Sequence, residues 1–283
     1  NILCKEKVSG LTLVPAITGI EATSLSSEQV MVTVSCGENW HNFVSSCLKQ
    51  HHYGLENLAL IPGLVGAAPI QNIGAYGLEI ADHLVSLTAL NIQTGSLQEF
   101  TKAECQFSYR DSIFKQAYRG LYIIIAVSGG WWRDPIVNIA YPALQRYLVQ
   151  NALVETPENV FKSVCDLRQS KLPDPQVIPN CGSFFKNPVI SLDSYDRLIE
   201  SWPNVVSFDV ANGKKVAAAL LIDKAGWKGK ELEGIRVHKD QALILTNPNK
   251  KPLANVLRAS AIIQEDIQHK FGLDLEREPQ LFS

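Results

Sequence analysis

The sequence predicts an α+β protein, on three observations. Segments with a period of two and segments with a helical period both occur, yet they do not alternate as regular βαβ units. A β-branched run, "GLYIIIAVSGGWW" (residues 120–132), reads as a buried strand. An aperiodic stretch with three prolines, "QSKLPDPQVIPNCG" (residues 169–182), separates two differently patterned halves and is the best domain boundary in the chain.

The elements follow in order. "MVTVSCG" (31–37) alternates, with Val32 and Val34 on one face, and reads as a strand ending at Gly37. "NWHNFVSSCLKQHH" (39–52) puts Trp40, Phe43, Val44, Cys47 and Leu48 at helical spacing, with Asn39 as N-cap. "HLVSLTALNIQTGSLQEF" (83–100) reads as two strands around a Thr94-Gly95 turn. Thr156, Pro157 and Glu158 start a helix that would carry Phe161, Val164 and Cys165 inward. Beyond the proline-rich stretch, "KVAAALLIDKAGWKG" (215–229) reads as a buried helix stopped by Gly226, and "QALILTN" (241–247) as a short strand. "KPLANVLRASAIIQEDIQHKFG" (251–272) is the cleanest helix. Pro252 stands near its start and Gly272 at its stop, with Leu253, Val256, Leu257, Ile263, Ile267 and Phe271 on one face and the small Ser260 among them.

Composition narrows the function. A chain of 283 residues can bury a substantial core and hold two or more domains. A net charge of −2 leaves no basic footprint for nucleic acid or an anionic membrane surface, and no apolar run is long enough to span a bilayer. Six scattered cysteines without a C-x-x-C pair read as reduced thiols of a cytosolic protein, with neither a disulfide framework nor a metal site. The pair His51-His52 has no third ligand nearby. The phosphate-loop, dinucleotide, zinc-protease and nucleophile-elbow motifs are all missing.

Four segments carry possible chemistry. "IPGLVGAAPIQNIGAYG" (61–77) has four glycines, three alanines and no charge. Small residues let a backbone approach a flat or anionic ligand, and free N–H groups can bind phosphate or a ring edge. The same composition suits a tight buried loop. "SYRDSIFK" (108–115) sets Arg110 beside Asp111, which as a bare pattern reads first as a surface ion pair. "GSFFKNP" (182–188) places Ser183 between a glycine and two phenylalanines, a hydroxyl on an apolar wall or a plain turn over two core rings. "LEREPQLF" (275–282) alternates Glu276 and Glu278 on an extended segment.

In order and spacing, "GENW", "IPGLVGAAPIQNIGAYG", "YRDSIFK", "KLPDP", "GSFFKNP" and "AGWKGK…VHKDQALILTN" closely resemble the UDP-N-acetylenolpyruvoylglucosamine reductase family, over essentially the whole chain. The resemblance implies a two-subdomain FAD-binding unit of the vanillyl-alcohol-oxidase type plus a C-terminal α+β substrate domain. It divides the chain into residues 1–20 (a remnant of the first flavin subdomain), 21–171 (the second), 172–272 (the substrate domain) and 273–283 (a segment returning to the active site). It also implies a bacterial, cytoplasmic enzyme of peptidoglycan precursor synthesis. NADPH reduces FAD, and the flavin passes a hydride to UDP-N-acetylglucosamine enolpyruvate, giving UDP-N-acetylmuramate.

Hydride adds to one carbon of the enol ether, so charge builds on the other carbon and the carboxylate. Ser183 matches the family's proton donor, and Arg110 and Glu278 match the groups that polarise that carboxylate. Gly63, Gly66, Ala67, Ala68, Gln71, Asn72, Gly74, Ala75 and Tyr76 are the implied flavin contacts. Tyr141, Lys171, Asn187 and Gln241 are the implied contacts to the UDP moiety. Two residues depart from the pattern: Cys181 stands where alanine is commoner, and Lys224 replaces a common glutamine. The family also places a glycine-rich flavin stretch ahead of "NIL", and this sequence begins inside that pattern. The expectation is that these 283 residues alone leave strands over residues 1–14 without neighbours, expose Ile2, Leu11 and Leu13, and purify without flavin. The other readings are a flavin oxidase of the same fold class and a non-enzymatic nucleotide-sugar-binding remnant.

Overall fold

The structure is a computed structural model and describes residues 2–5, 8, 10 and 12–282. A short strand, β1 (Ile2–Cys4), comes first, and the chain then divides into two compact units, one of Thr12–Arg168 and one of Asn1–Leu11 with Gln169–Ser283.

The Thr12–Arg168 unit is built on an antiparallel sheet of five strands. β2 (Ile20–Ser24) and β3 (Gln29–Ser35) lead into helix α1 (Trp40–Lys49). A two-strand hairpin, β4 (Gly74–Ala75) and β5 (Leu78–Glu79), interrupts, and β6 (Leu84–Asn91), β7 (Leu97–Thr101) and β8 (Tyr122–Trp132) complete the sheet in the order β2-β3-β8-β6-β7. The alternation read in "MVTVSCG" has its physical counterpart here: Val30, Val32 and Val34 are buried while their neighbours are only partly covered. Asn39 caps α1 as expected, its Oδ1 accepting the Asn42 N–H at 3.0 Å. The helix buries Trp40, Phe43, Val44 and Cys47, and the Trp40 Nε1–H donates to the Leu58 carbonyl at 2.9 Å. Two more helices follow, α2 (Pro142–Gln150) and α3 (Pro157–Lys171). Leu144, Leu148, Val160 and Val164 join the same core, while Phe161 and Cys165 are only half-buried.

Among the described residues the other unit holds three small sheets and three helices, one sheet being the pairing of β1 with the C-terminal strand. β9 (Asn180–Ser183) is followed by β10 (Val189–Ile190), α4 (Leu192–Ser201), β11 (Ser207–Val210) and β12 (Gly213–Val216). Then come α5 (Ala218–Lys224), β13 (Glu231–Leu232), β14 (Ile235–Val237), β15 (Ile244–Thr246), α6 (Leu253–Phe271) and β16 (Gln280–Phe282). The sheets run β13-β14-β15-β9 and β10-β12-β11. Gly226 and Gly272 end α5 and α6 in the left-handed region, at φ +84° and +67°, where a Cβ would be strained. α6 buries Val256, Ala259, Ser260, Ile263, Ile267 and Phe271. Leu253 and Leu257 lie at the margin of that face.

At the N-terminus, β1 is paired, running parallel to β16, so the expectation of strands without neighbours fails over residues 2–4. Ile2 and Leu13 are exposed, as expected, and Leu11 lies outside the described residues. Among the described residues no helix is long and apolar enough to cross a membrane.

One aromatic cluster ties the sheet to the loop that carries Arg110. Phe100 on β7 is 2% exposed, and its ring centroid lies 5.2, 5.8 and 5.1 Å from those of Phe114, Tyr118 and Tyr122. Phe100→Ala is expected to destabilise the protein by about 3–5 kcal/mol, through lost burial plus the cavity left behind. Urea denaturation checks this, and a loss under about 1 kcal/mol would mean that the cluster collapses without cost.

Candidate active site

The glycine-rich segment 61–77 behaves in two ways. Part of it is packing. Gly66 is buried, and a Cβ there would come 2.6 Å from the Cys36 Cβ; Ala68 is also buried in the core. The rest is surface. Gly63 and Ala67 are exposed, and Gly63 has φ +114° with nothing within 4 Å of the place a Cβ would occupy. Gln71, Gly74, Ala75 and Tyr76 are half-buried. An open, uncharged rim of small residues fits the close approach of a flat ring system or its pyrophosphate, so the residues present suit FAD on this side.

Asn72 is engaged differently. It is 1% exposed and takes φ +44°. Its Nδ2 donates to Glu79 Oε2 at 2.6 Å and to the Ser108 carbonyl at 3.0 Å, and its Oδ1 accepts the Ala81 N–H at 3.1 Å. One amide therefore joins the glycine-rich segment, the Glu79 turn and the arginine loop. The side chain is occupied by protein, and its own N–H donates to the Pro69 carbonyl at 3.2 Å.

Arg110 also sits in the left-handed region, at φ +57°. Its expected neighbour, Asp111, is not its partner: Asp111 accepts from Gln116 Nε2 and from the Ser112 N–H. The guanidinium instead donates to the Gly74 carbonyl at 2.6 Å, lies 3.7 Å from Glu79 Oε1, and covers the Tyr109 ring at 5.0 Å. Gly74 makes this possible, since a Cβ there would fall 2.8 Å from Arg110 Nη1 and 2.8 Å from the Leu78 carbonyl. The loop is pinned further by Ser112 Oγ donating to the Ile70 carbonyl at 2.6 Å and Lys115 Nζ donating to the Arg110 carbonyl at 2.8 Å.

Tyr76, at φ +48°, meets Tyr141 edge to face at 5.2 Å. Asn57, buried, holds that corner by donating to the carbonyls of Tyr76 and Asn138, both at 2.8 Å. Arg168 lies in the electrostatic reach of Tyr76 and Arg110, with its Nε buried and without a hydrogen-bond partner among the described residues. Burial pushes its pKa below the ordinary arginine value, with Tyr76 and Cys165 opposing and Arg110 adding to the shift. Glu79, Asn57 and Arg168 escaped the sequence reading because nothing local marks them; only the fold brings them to Arg110 and Tyr76.

In the second unit, Ser183 is half-buried at the end of β9, between Gly182 at φ +71° and two rings that are essentially inaccessible, Phe184 and Phe185. The segment after it pairs with residues 276–278. The Glu278 N–H donates to the Phe184 carbonyl at 2.9 Å, Phe185 bridges Arg277, and the Lys186 N–H donates to the Glu276 carbonyl at 2.8 Å. Ser183 and Glu278, far apart in sequence, are thus brought to adjoining positions. Burial foremost pushes the Cys181 thiol up to about 11, and the charge of Glu278 adds to that shift. Asn187 Oδ1 accepts the Ala218 N–H at 3.0 Å, capping the start of α5. Lys171 lies at the end of α3, and Gln241 in the turn before β15, where its N–H donates to His238 Nδ1 at 3.2 Å. Arg110 and Tyr141 belong to the other unit. Among the described residues no group of histidine, cysteine and carboxylate side chains could hold a metal.

Residues 7–101 match the FAD binding domain family, and residues 174–282 match the family described as UDP-N-acetylenolpyruvoylglucosamine reductase, C-terminal domain. An FAD-binding fold joined to a separate substrate-side domain defines a flavoprotein oxidoreductase. The UDP-N-acetylenolpyruvoylglucosamine reductase of Bordetella pertussis is 41% identical over 99% of this chain and 80% of its own length. That of Paraburkholderia phymatum is 43% identical over 99% of this chain and 82% of its own. The chain belongs to the UDP-N-acetylenolpyruvoylglucosamine reductase family. The crystal structure of the enzyme of that name from Thermus caldophilus shares the fold at a TM-score of 0.59 and 19% identity, covering 89% of this chain and 72% of that one.

Asn72→Ala is expected to cost about 2–4 kcal/mol of stability, because it removes three hydrogen bonds made by a buried amide, leaves the buried Ala81 N–H without its acceptor, and replaces a residue that tolerates positive φ. Thermal and urea unfolding check this; stability within about 0.5 kcal/mol of the parent would show that the three groups find other partners.

Proposed function

We propose that this protein reduces UDP-N-acetylglucosamine enolpyruvate to UDP-N-acetylmuramate with NADPH as reductant and FAD as cofactor, in the bacterial cytoplasm. Membership in the reductase family supports the reaction, and one observation supports the site: the Glu278 N–H donates to the carbonyl of Phe184, the residue that follows Ser183. When bound, FAD supplies the hydride chemistry.

The chain's own groups handle the proton and the charge. Ser183 Oγ–H protonates the carbon that gains charge after hydride addition. A serine is a weak acid, so its placement matters: Gly182 turns the backbone outward, while Phe184 and Phe185 form a dry, rigid floor. Glu278 and Arg110 stabilise the developing carboxylate charge. The Arg110 guanidinium is largely buried and already oriented by Gly74 and Glu79, so little reorganisation is needed when that charge appears. Tyr141, Lys171, Asn187 and Gln241 hold the UDP moiety, with Lys171 as a phosphate partner. A preparation that binds UDP-N-acetylglucosamine but shows no flavin absorbance would favour the non-enzymatic reading.

In the flavin-loaded protein, Ser183→Ala is expected to leave NADPH bleaching of the flavin band nearly intact. Its recovery on adding enolpyruvyl substrate should fall by about two orders of magnitude or more, since only that step needs the proton. Stopped-flow absorbance reads both rates, and equal slowing would make Ser183 a binding residue. Arg110→Ala is expected to lower turnover about 100- to 1000-fold, far more than it raises KM. Normal turnover with a raised KM would show that Arg110 binds substrate and transition state alike.

A further inference from the structure

The glycine-rich segment is entered through a strained residue. Leu60, just ahead of it, takes φ +56°, a region that suits glycine and strains a leucine. Its N–H donates to His41 Nδ1 at 3.1 Å, so this imidazole is neutral and carries its proton on Nε2. His41 is half-buried in the first turn of α1, and its ring stacks on that of Phe161 from α3, centroids 5.5 Å apart and planes at 12°. The same turn of α1 holds residues on either side of Leu60. The Trp40 indole N–H donates to the Leu58 carbonyl, and the Trp40 main-chain N–H donates to the Gly63 carbonyl at 3.0 Å. Those two bonds fix positions 58 and 63. Between them Pro62 has no N–H to give, and the bond that ties the turn at Leu60 to α1 is the one to the imidazole.

Of the side chains in this grip, only the imidazole can take up a proton, and an imidazolium has no lone pair for the Leu60 N–H. Burial moves the pKa of His41 below the ordinary histidine value. The charged or titratable side chains near this contact in sequence are Glu38 ahead of α1, Glu56 ahead of Leu60, and Glu158, Lys162 and Cys165 around Phe161 on α3. Glu38 accepts the Gly19 N–H at 2.9 Å and Glu56 the Gly54 N–H at 3.0 Å, so both carboxylates are engaged elsewhere.

We propose that His41 is a positioning residue of the flavin site: its neutral imidazole holds Leu60 in the strained turn that presents the open rim at Gly63 and Ala67 to FAD. This rests on the reading of that rim as one side of the flavin site. The neutral form is the one that holds the turn. The grip is therefore complete above the ordinary histidine value and is lost as pH falls through the lowered one.

The test follows release of FAD from the flavin-loaded protein, read as the rise of free-flavin fluorescence on dilution, in His41→Ala, His41→Gln and His41→Asn. Asparagine puts an acceptor oxygen where Nδ1 stands; glutamine puts it where Nε2 stands. His41→Ala and His41→Gln are expected to release FAD about three- to tenfold faster at about pH 8, the size of one lost hydrogen bond. His41→Asn should stay within about twofold of the parent. Between about pH 8 and pH 5 release from the parent should quicken by a similar factor, while His41→Asn shows no such step. Amide hydrogen exchange gives a readout independent of the flavin. The Leu60 amide should exchange faster in His41→Ala, while the Cys36 amide, bonded to the Ile125 carbonyl, keeps its protection. Unchanged release from His41→Ala and His41→Gln, no rescue by asparagine, or the parent's pH dependence persisting in His41→Asn would each overturn the proposal. Ala67→Leu separates the two levels, since bulk on the exposed rim should speed release whatever stands at position 41. If Ala67→Leu speeds release and the His41 variants do not, the positioning role fails and the rim stands; if Ala67→Leu releases FAD at the parent's rate, the reading of the rim fails.

Discussion

The amide of Asn72 is the joint on which the arginine side of the site depends. A glycine-rich segment has few side chains with which to hold its own shape, and its backbone must still satisfy its polar groups. Asn72 supplies three hydrogen bonds from one buried position and reaches three separate segments with them. Glu79, held by that amide, faces Arg110, and Arg110 in turn bonds the Gly74 carbonyl. The result is a closed circuit in which Arg110 is oriented by the same loop that presents small residues outward. Moving any one member would disturb the others, because each is held by hydrogen bonds to the next.

Strain is concentrated at the same place. Asn72, Tyr76 and Arg110 all occupy the left-handed region, although none is glycine, at a cost of about 1–2 kcal/mol for an ordinary side chain. The aromatic cluster around Phe100 and the hydrogen bonds of Ser112 and Lys115 hold the Arg110 loop against that strain. Glycines at Gly74 and Gly66 serve close packing, against Arg110 and Cys36 respectively, while Gly63 faces open space. One motif therefore serves two physical purposes, and composition alone does not separate them.

The other unit solves a similar problem with backbone. Ser183 is anchored through a strand in the β13-β14-β15-β9 sheet, and its neighbours Phe184 and Phe185 are buried in the core that α5 and α6 also fill. The 276–278 segment returns to the residues just past Ser183 by a few main-chain bonds. Cys181, tolerated in place of a smaller residue, is half-buried on β9, where its high thiol pKa keeps it neutral beside Glu278.

Periodicity, caps and turns made the regular elements legible: α1 with Asn39, the start of α3 at Pro157, α6 with Gly272, β3, β6 and β8 by their apolar residues, and β7 by the Thr94-Gly95 turn before it. β2, α2 and α4 did not show. β2 is an edge strand with four of five residues exposed, so its sequence carries little alternation, and the two helices, although amphipathic, bury only one or two residues each. The family and its reaction were also legible, since six motifs in a fixed order are a linear signal. What the sequence by itself determined was therefore element type, family membership and which residues to suspect. Only the tertiary structure decided partnership: that Arg110 pairs with Glu79 instead of its neighbour Asp111, that the Asn72 side chain serves the protein, that Glu278 adjoins Ser183. The reason is physical. A turn, a cap or an apolar face is set by residues a few positions apart, whereas hydrogen bonds and ion pairs at a site join groups whose separation along the chain carries no information about their separation in space.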